Sequence, residues 1–389
     1  MLAQTRMLRG AAPRTIARMT SHLEQIVERI RAASASGQAL RIVGGGSKDG
    51  YGQSLHGEPL HVGGLRGILS YEPSELVVTV ACGTPLAELE AALAERGQCL
   101  PFEPPHQLPG ADAALASRAT CGGMLAAGLS GPARAHSGAV RDFVLGLSLV
   151  NGRGELLRFG GQVMKNVAGY DVPRLMAGAM GSLGVVTEIS LKVLPQAPAQ
   201  ASLRFDWSQH QALQQLHIWG GQPLPLNASC WQAGQGLTLR LRGAVAAVEA
   251  ACRGLGGERL TPAAAAEFWQ ARRAMRMPWD DLGAQRDLWR LSVPQTAPVL
   301  ELPGEPVVEW HGGQRWVAAL PEQADAVRSQ ARAVGGSATL MQPALGPRSG
   351  TRAQVFEPLS EPLGRIHRAL KAAFDPAGIF NPGRLYPDL

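Results

Sequence analysis

Thr120-Cys121-Gly122-Gly123, Gly128-Leu129-Ser130-Gly131-Pro132 and Gly138 fall inside one stretch, residues 101–138, where apolar periodicity is weak. Pro and Gly dominate it from Pro104-Pro105 onward, and such a stretch inside a compact domain is usually functional rather than filler. Its glycines stand in an apolar context, Met124-Leu125-Ala126-Ala127. Without a Cβ the backbone can approach a flat ligand closely and donate amide hydrogen bonds to it. A tightly packed irregular crossing of the core is the alternative. Buried strands and a second glycine loop around the stretch favour a ligand.

That second loop lies upstream. A short strand, Leu40 to Val43, runs into Gly44-Gly45-Gly46-Ser47-Lys48-Asp49-Gly50. A Rossmann fingerprint needs G-x-G-x-x-G opening a helix, with an acid about 20 residues on. Here Asp49 takes the third position, and Gly50-Tyr51-Gly52 cannot start a helix. What remains is a nest of free backbone N–H groups at a strand end, which can hold a phosphate without a helix dipole. Taken alone, an ordinary surface turn is the better account of it.

Working outward, Leu23, Ile26, Val27 and Ile30 share a helical stripe, and folding is expected to begin near Ser21. Leu76 to Ala81 is an apolar run suited to a strand covered on both faces. Thr84-Pro85 reads as N-cap and first turn of a helix carrying Leu86, Leu89 and Leu93, stopped at Gly97. Val144–Val150, a turn at Asn151-Gly152-Arg153-Gly154, and Glu155–Phe159 form a predicted β-hairpin. A helix is expected over Arg174–Met180. Alternation from Thr187 places Ile189, Leu191 and Val193 on one strand face. After a linker at Leu194–Pro198, predicted strands (Ala201–Phe205, Leu237–Leu241, Leu288–Val293, Arg315–Leu320) alternate with helices (Gln209–Trp219, Val245–Arg253, Ala263–Met275, Glu322–Val334). That order implies an α+β module with an antiparallel sheet. A last helix around Leu363–Phe374 leads into Asp375-Pro376 and Asn381-Pro382-Gly383-Arg384.

The 389 residues suggest two domains, and 45% apolar content can build sizeable cores. The net charge of +6 is scattered arginine with no basic block, which argues against nucleic acid and fits an anionic cofactor, substrate or partner. No apolar run is long enough to span a membrane. Five cysteines with no C-x-x-C pair read as reduced thiols of a cytoplasmic protein and offer no iron–sulfur framework, and no metal site is expected. Residues 1–20 carry four arginines and no acid. They read as a basic tail, with transit-peptide composition or an early start codon as alternatives.

The glycine loop, the run from Thr120 through Pro132, Gly138–Asp142, Val163-Met164-Lys165-Asn166-Val167-Ala168-Gly169-Tyr170-Asp171 and Gly181–Glu188 together resemble the FAD domain of the vanillyl-alcohol-oxidase superfamily. Within it they are most similar to the FAD-binding subunits of glycolate oxidases. Phe374-Asp375-Pro376 and Asn381–Arg384 extend the likeness into the tail. The resemblance implies a two-part FAD-binding domain of the PCMH type (21–195), a cap-like α+β domain (196–340) and a C-terminal segment (341–389) packing back on the first. It implies noncovalent FAD, since Ser47 and Lys48 stand where some relatives carry a flavin-linking His. Gly44, Gly45, Gly46 and Ser47 would wrap the pyrophosphate. Pro105, Thr120, Gly122, Gly123, Ser130 and Gly138 would line the flavin; Gly184, Val185 and Thr187 would hold the adenosine end.

The implied reaction is oxidation of glycolate, or another small 2-hydroxyacid, with electrons passing to a homologous FAD catalytic subunit and an iron–sulfur subunit. The complex would be cytoplasmic or peripheral to the inner membrane. A stand-alone 2-hydroxyacid dehydrogenase and a non-catalytic flavin-carrying subunit are the alternatives. Catalytic relatives carry His-rich motifs in the substrate domain that this chain lacks. Lys165 and Tyr170 are candidates for steering the hydroxyl proton, against a plain turn capped by Asp171. In the second module Trp289-Arg290, Trp310-His311 and Arg315-Trp316 set cations beside aromatics. Arg290 is a candidate carboxylate clamp and His311 a candidate base, against packing and surface charge.

Overall fold

The computed structural model describes residues 13–161, 169–279, 285–344 and 354–389. Two antiparallel sheets dominate it. The first has five strands, in spatial order Ile68–Glu72, Val77–Ala81, Val185–Lys192, Val144–Val150 and Leu156–Gly160. The second has eight, and its centre runs Gly236–Gly243, Leu226–Gln232, Val307–Glu309, Gln314–Ala319, Asp287–Ser292.

Alternation explains the first sheet. Ile189, Leu191 and Val193 face a core shared with Leu86, Leu89, Leu93 and the helix Cys121–Ala127. On the opposite face Ser190 meets Thr79 through a hydroxyl pair at 2.9 Å. The predicted hairpin forms, with the Asn151 side-chain oxygen accepting from the Arg153 and Glu155 amides to close the turn. The helix Leu86–Ala94 starts one residue later than the sequence suggests, with Pro85 at the N-cap. The Thr84 hydroxyl is used elsewhere, bonding Gly67 through both its N–H and its carbonyl.

Other boundaries move for physical reasons. The first helix spans Pro13–Ser36, so order begins before Ser21; Met19 packs into the same core as Ile26 and Ile30. The helix expected over Arg174–Met180 is Val172–Met176, started by the Asp171 carboxylate accepting from the Arg174 amide at 3.3 Å. Asp171 therefore takes the capping role.

The C-terminal segment returns to the first module. Phe380 bridges in parallel to Leu40, and Asn381 accepts from the Ile42 amide while donating to the Met180 carbonyl. Arg384 donates to backbone carbonyls of Lys48, Asp49, Tyr51 and Gln53. At the head of this segment, helix Glu361–Phe374 places Lys371 against Asp375, both buried.

Candidate functional site

The two glycine-rich stretches meet. A Cβ on Gly44 would lie 2.8 Å from the Thr120 hydroxyl, and one on Gly45 would lie 1.5 Å from the Arg118 carbonyl oxygen. Gly45 is glycine because another backbone occupies its side-chain space. The Thr120 hydroxyl caps its helix by accepting from the Gly123 amide at 3.1 Å. Gly122 packs on Cys82, a Cβ there falling 2.9 Å from the Cys82 Cβ.

Between them opens a cleft walled by Gly44, Gly122, Gly123, Gly181 and Gly184, with Ile42, Val62, Met176 and Leu183 as its apolar lining. The amide N–H groups of Gly44, Gly45, Gly46 and Ser47 donate to no partner among the described residues. Unpaired donors that begin at Gly44, on the wall of a glycine-walled, apolar cleft, suit a phosphate-bearing group with a flat ring. The residues present thus fit FAD. Arg118, which the sequence did not single out, brings a guanidinium nitrogen within 3.7 Å of where a Gly46 Cβ would lie.

Other predicted cofactor residues have structural duties. Val185 is buried in the sheet core opposite Val150, and the Thr187 hydroxyl donates to the Ser148 carbonyl at 3.2 Å. The Ser130 hydroxyl accepts from the Val140 amide. Gly138 has φ +97° and lies against Asp142, while Pro105 is buried beside the loop carrying His106. Burial lowers the Lys48 ammonium to about 8; it donates to the His106 carbonyl at 3.1 Å and the Ser47 hydroxyl at 3.4 Å.

A second pocket, of about 260 Å³, lies between the glycine-rich stretch and the second sheet. Its floor is Gly128, Ser130 and Gly178, and its roof Arg290, Ser292 and Trp310. Tyr51, Arg134 and Arg141 close the sides. Arg134 stacks on the Trp310 ring at 4.6 Å, and the Trp310 indole donates to the Gly131 carbonyl at 3.0 Å. Trp310 and His311 both sit at φ +54°, a strained left-handed turn of the kind that clusters at functional sites.

Of the four candidate catalytic side chains, Arg290 lines this pocket. Burial pushes His311 down to about 4, so it is neutral at pH 7, but its ring lies beside His136 rather than in the pocket lining. Tyr170 is 93% exposed. Lys165 lies outside the described residues.

The cation–aromatic neighbours in sequence do not act as pairs, because adjacent strand residues point to opposite faces. Trp289 is buried with Arg328 over its ring, whereas Arg290 turns to the pocket. Trp316 donates to Glu309, while Arg315 is buried on the other side, bonded to the Ala297 carbonyl. Tyr51 and Arg134 escaped the sequence reading, since each is an isolated polar residue in a loop or short helix, and Arg141 entered it only within the Gly138–Asp142 string.

Residues 14–160 match the FAD binding domain, and residues 351–385 match the C-terminal domain of FAD linked oxidases. The chain is 44% identical to glycolate oxidase subunit GlcE of Escherichia coli (strain K12), over 96% of this chain and 99% of that one. The chain belongs to the GlcE family of glycolate oxidase subunits. Its cofactor is FAD. Glycolate oxidase subunit GlcD of Bacillus subtilis (strain 168) is 33% identical over 35% of the chain and 27% of its own length. The D-lactate dehydrogenase of Anaerostipes hadrus is 30% identical over 43% and 32% respectively. The same fold occurs in alkyldihydroxyacetonephosphate synthase, with TM-score 0.61 over 92% of this chain and 74% of that one, at 16% identity. The fold is thus the PCMH-type α+β arrangement that the family resemblance implies.

Proposed function

We propose that the chain is the FAD-carrying subunit of a multi-subunit glycolate oxidase, oxidising glycolate or a similar 2-hydroxyacid and passing electrons to partner chains. The convergence of unpaired loop amides, two glycine stretches and an arginine-lined pocket carries this reading. Bound FAD would supply a two-electron acceptor for the alcohol carbon. The Gly44–Ser47 amides would hold its pyrophosphate, and Thr120, Gly122, Gly123, Ser130 and Gly138, with Pro105 behind them, would frame the ring. Gly184, Val185 and Thr187 would shape the adenosine end.

Arg290 would take the substrate carboxylate, supported by Arg134, because paired guanidinium donors match a carboxylate fork. His311, the candidate base, has no partner on Nδ1 among the described residues, but the burial that keeps it neutral also makes it a weak proton acceptor. Lys165 and Tyr170 would be the other candidates for steering the hydroxyl proton, against a plain turn capped by Asp171.

Electron exit would lie on a homologous FAD subunit and an iron–sulfur subunit. The five cysteines support this, being free and not gathered with other ligand types among the described residues. Among the described residues no helix is long and apolar enough to cross a membrane, so attachment at the cytoplasmic side of the inner membrane would be peripheral, through the complex. The division into residues 21–195, 196–340 and 341–389 completes the proposal.

The test is spectroscopic. The chain expressed alone should show flavin absorbance, and anaerobic glycolate should bleach it either alone or once the partner chains are added. A colourless protein that binds no added FAD would overturn the reading. Flavin that glycolate never bleaches, even in the full complex, would leave only a flavin-carrying role.

A further inference from the structure

Two cations stand at the loop Gly44–Ser47, and its free amides do not account for them. Lys48 follows the last of those amides. Its ammonium donates only to the His106 carbonyl, at 3.1 Å, and to the Ser47 hydroxyl, at 3.4 Å. Both acceptors are neutral, and burial lowers the ammonium's pKa with no neighbouring carboxylate to offset it. A partly enclosed cation without a counter-ion is unfavourable, and an anionic ligand relieves it. Arg118 comes from the other glycine-rich stretch. Its carbonyl fills the space of a Gly45 side chain, which fixes its backbone against the loop, and its guanidinium lies 3.7 Å from where a Gly46 Cβ would project. It makes no ion pair among the described residues. Asp49 brings an opposing carboxylate, 3.5 Å from the same point, but its side chain is exposed and water screens it. Lys48, Arg118 and Asp49 together leave the loop net positive.

We propose that Lys48 and Arg118 are cofactor-binding residues that add an ionic grip on the FAD diphosphate to the cradle of backbone amides. The inference rests on reading the loop as the pyrophosphate site, and it names side chains which that reading leaves out. A diphosphate bridge is dianionic at neutral pH, one charge on each phosphate, so a single group meets both cations. The compact ammonium of Lys48 suits the enclosed side. The planar fork of Arg118 suits the exposed side, where it can take two phosphate oxygens. Salt separates this arrangement from a cradle of amides alone. Backbone N–H groups carry no net charge, so their bonds to phosphate respond little to ionic strength, whereas charge pairs weaken as salt screens them.

The test is fluorescence titration of the flavin-stripped full chain with FAD at low and high salt, about 0.02 and 0.5 M NaCl. FAD should bind the unmodified chain about tenfold more weakly at high salt. At low salt Arg118→Gln should weaken FAD about fivefold and Lys48→Gln about thirtyfold, and each should shrink the salt effect. Arg118 is exposed, so its replacement leaves folding intact and tests the idea even if Lys48→Gln disturbs the loop. Arg365→Gln, which removes an exposed charge on the last helix, should change neither affinity nor salt effect. Unchanged affinity in either loop variant, or an equal fall in Arg365→Gln, would overturn the proposal. Weaker binding with the salt effect intact would also overturn it, because the side chains would then only prop the loop. If the unmodified chain binds FAD equally at both salts, this inference alone fails. If it binds no FAD at either salt, the pyrophosphate reading of the loop fails with it.

Discussion

Gly45 and Gly123 are glycines for different reasons, and substitution separates them. A Cβ at Gly45 would strike the Arg118 carbonyl, which is backbone and cannot step aside. A Cβ at Gly123 would meet only the Thr120 hydroxyl, at 3.2 Å, and otherwise project into open space. Gly123 also lies in a helix, where Ala is favoured over Gly by about 0.5–1 kcal/mol. Gly45→Ala should therefore lower the unfolding free energy of the FAD-free chain by about 1–3 kcal/mol and abolish flavin retention. Gly123→Ala should keep stability within about 1 kcal/mol yet lose flavin. Flavin-to-protein ratio and urea unfolding read the two effects apart; stoichiometric flavin in both variants would place the cofactor elsewhere.

Among the elements, the last helix depends on a buried ion pair to seat the tail. Lys371 donates to Asp375 at 2.8 Å and to the carbonyls of Ser182 and Phe380, and burial lowers its pKa. Asp375 in turn accepts from the Ile379 and Phe380 amides, holding Phe380 against Leu40. Asp375→Leu would leave Lys371 with a buried charge lacking its counter-ion, a loss of about 3–5 kcal/mol. The double variant Lys371→Met with Asp375→Leu should recover most of it, because removing both charges costs less than orphaning one. A double-mutant cycle by urea unfolding measures this; no recovery would mean that the amide contacts of Asp375, not its charge pairing, seat the tail.

Over the whole molecule, the Glu103 carboxylate is one of the links that couple the glycine-rich stretch to the second sheet. Glu103, at φ +47°, takes two bonds from Arg240 at 2.7 and 2.8 Å and one from the Ala133 amide. Arg240 also donates to Asn227 at 2.6 Å and stacks on Trp269 at 4.8 Å. Arg240→Met should destabilise by about 3–5 kcal/mol and raise amide hydrogen exchange in both residues 101–138 and the strand Leu226–Gln232. Exchange rising on one side only would show that the two modules open independently.

Local pattern made the elements legible. Alternation, helical stripes and glycine stops depend on neighbours within a few residues, so the order of residue types alone marks the hairpin at Val144–Gly160 and the strand at Val185–Lys192. The glycine-walled cleft was legible too, because backbone approach leaves glycine in the sequence wherever a Cβ cannot fit. The pocket was not. Arg134, Arg141, Arg290, Tyr51 and Trp310 come from four separate segments, none with a pattern of its own, and only the docking of the second sheet on the glycine stretch brings their side chains together. Strand alternation also decided against the neighbours that looked paired in sequence, sending Arg290 to the pocket and Trp289 to the core. Backbone periodicity is a local property and is written along the chain; the meeting of isolated charges is a property of tertiary packing, and it exists only once the chain has folded.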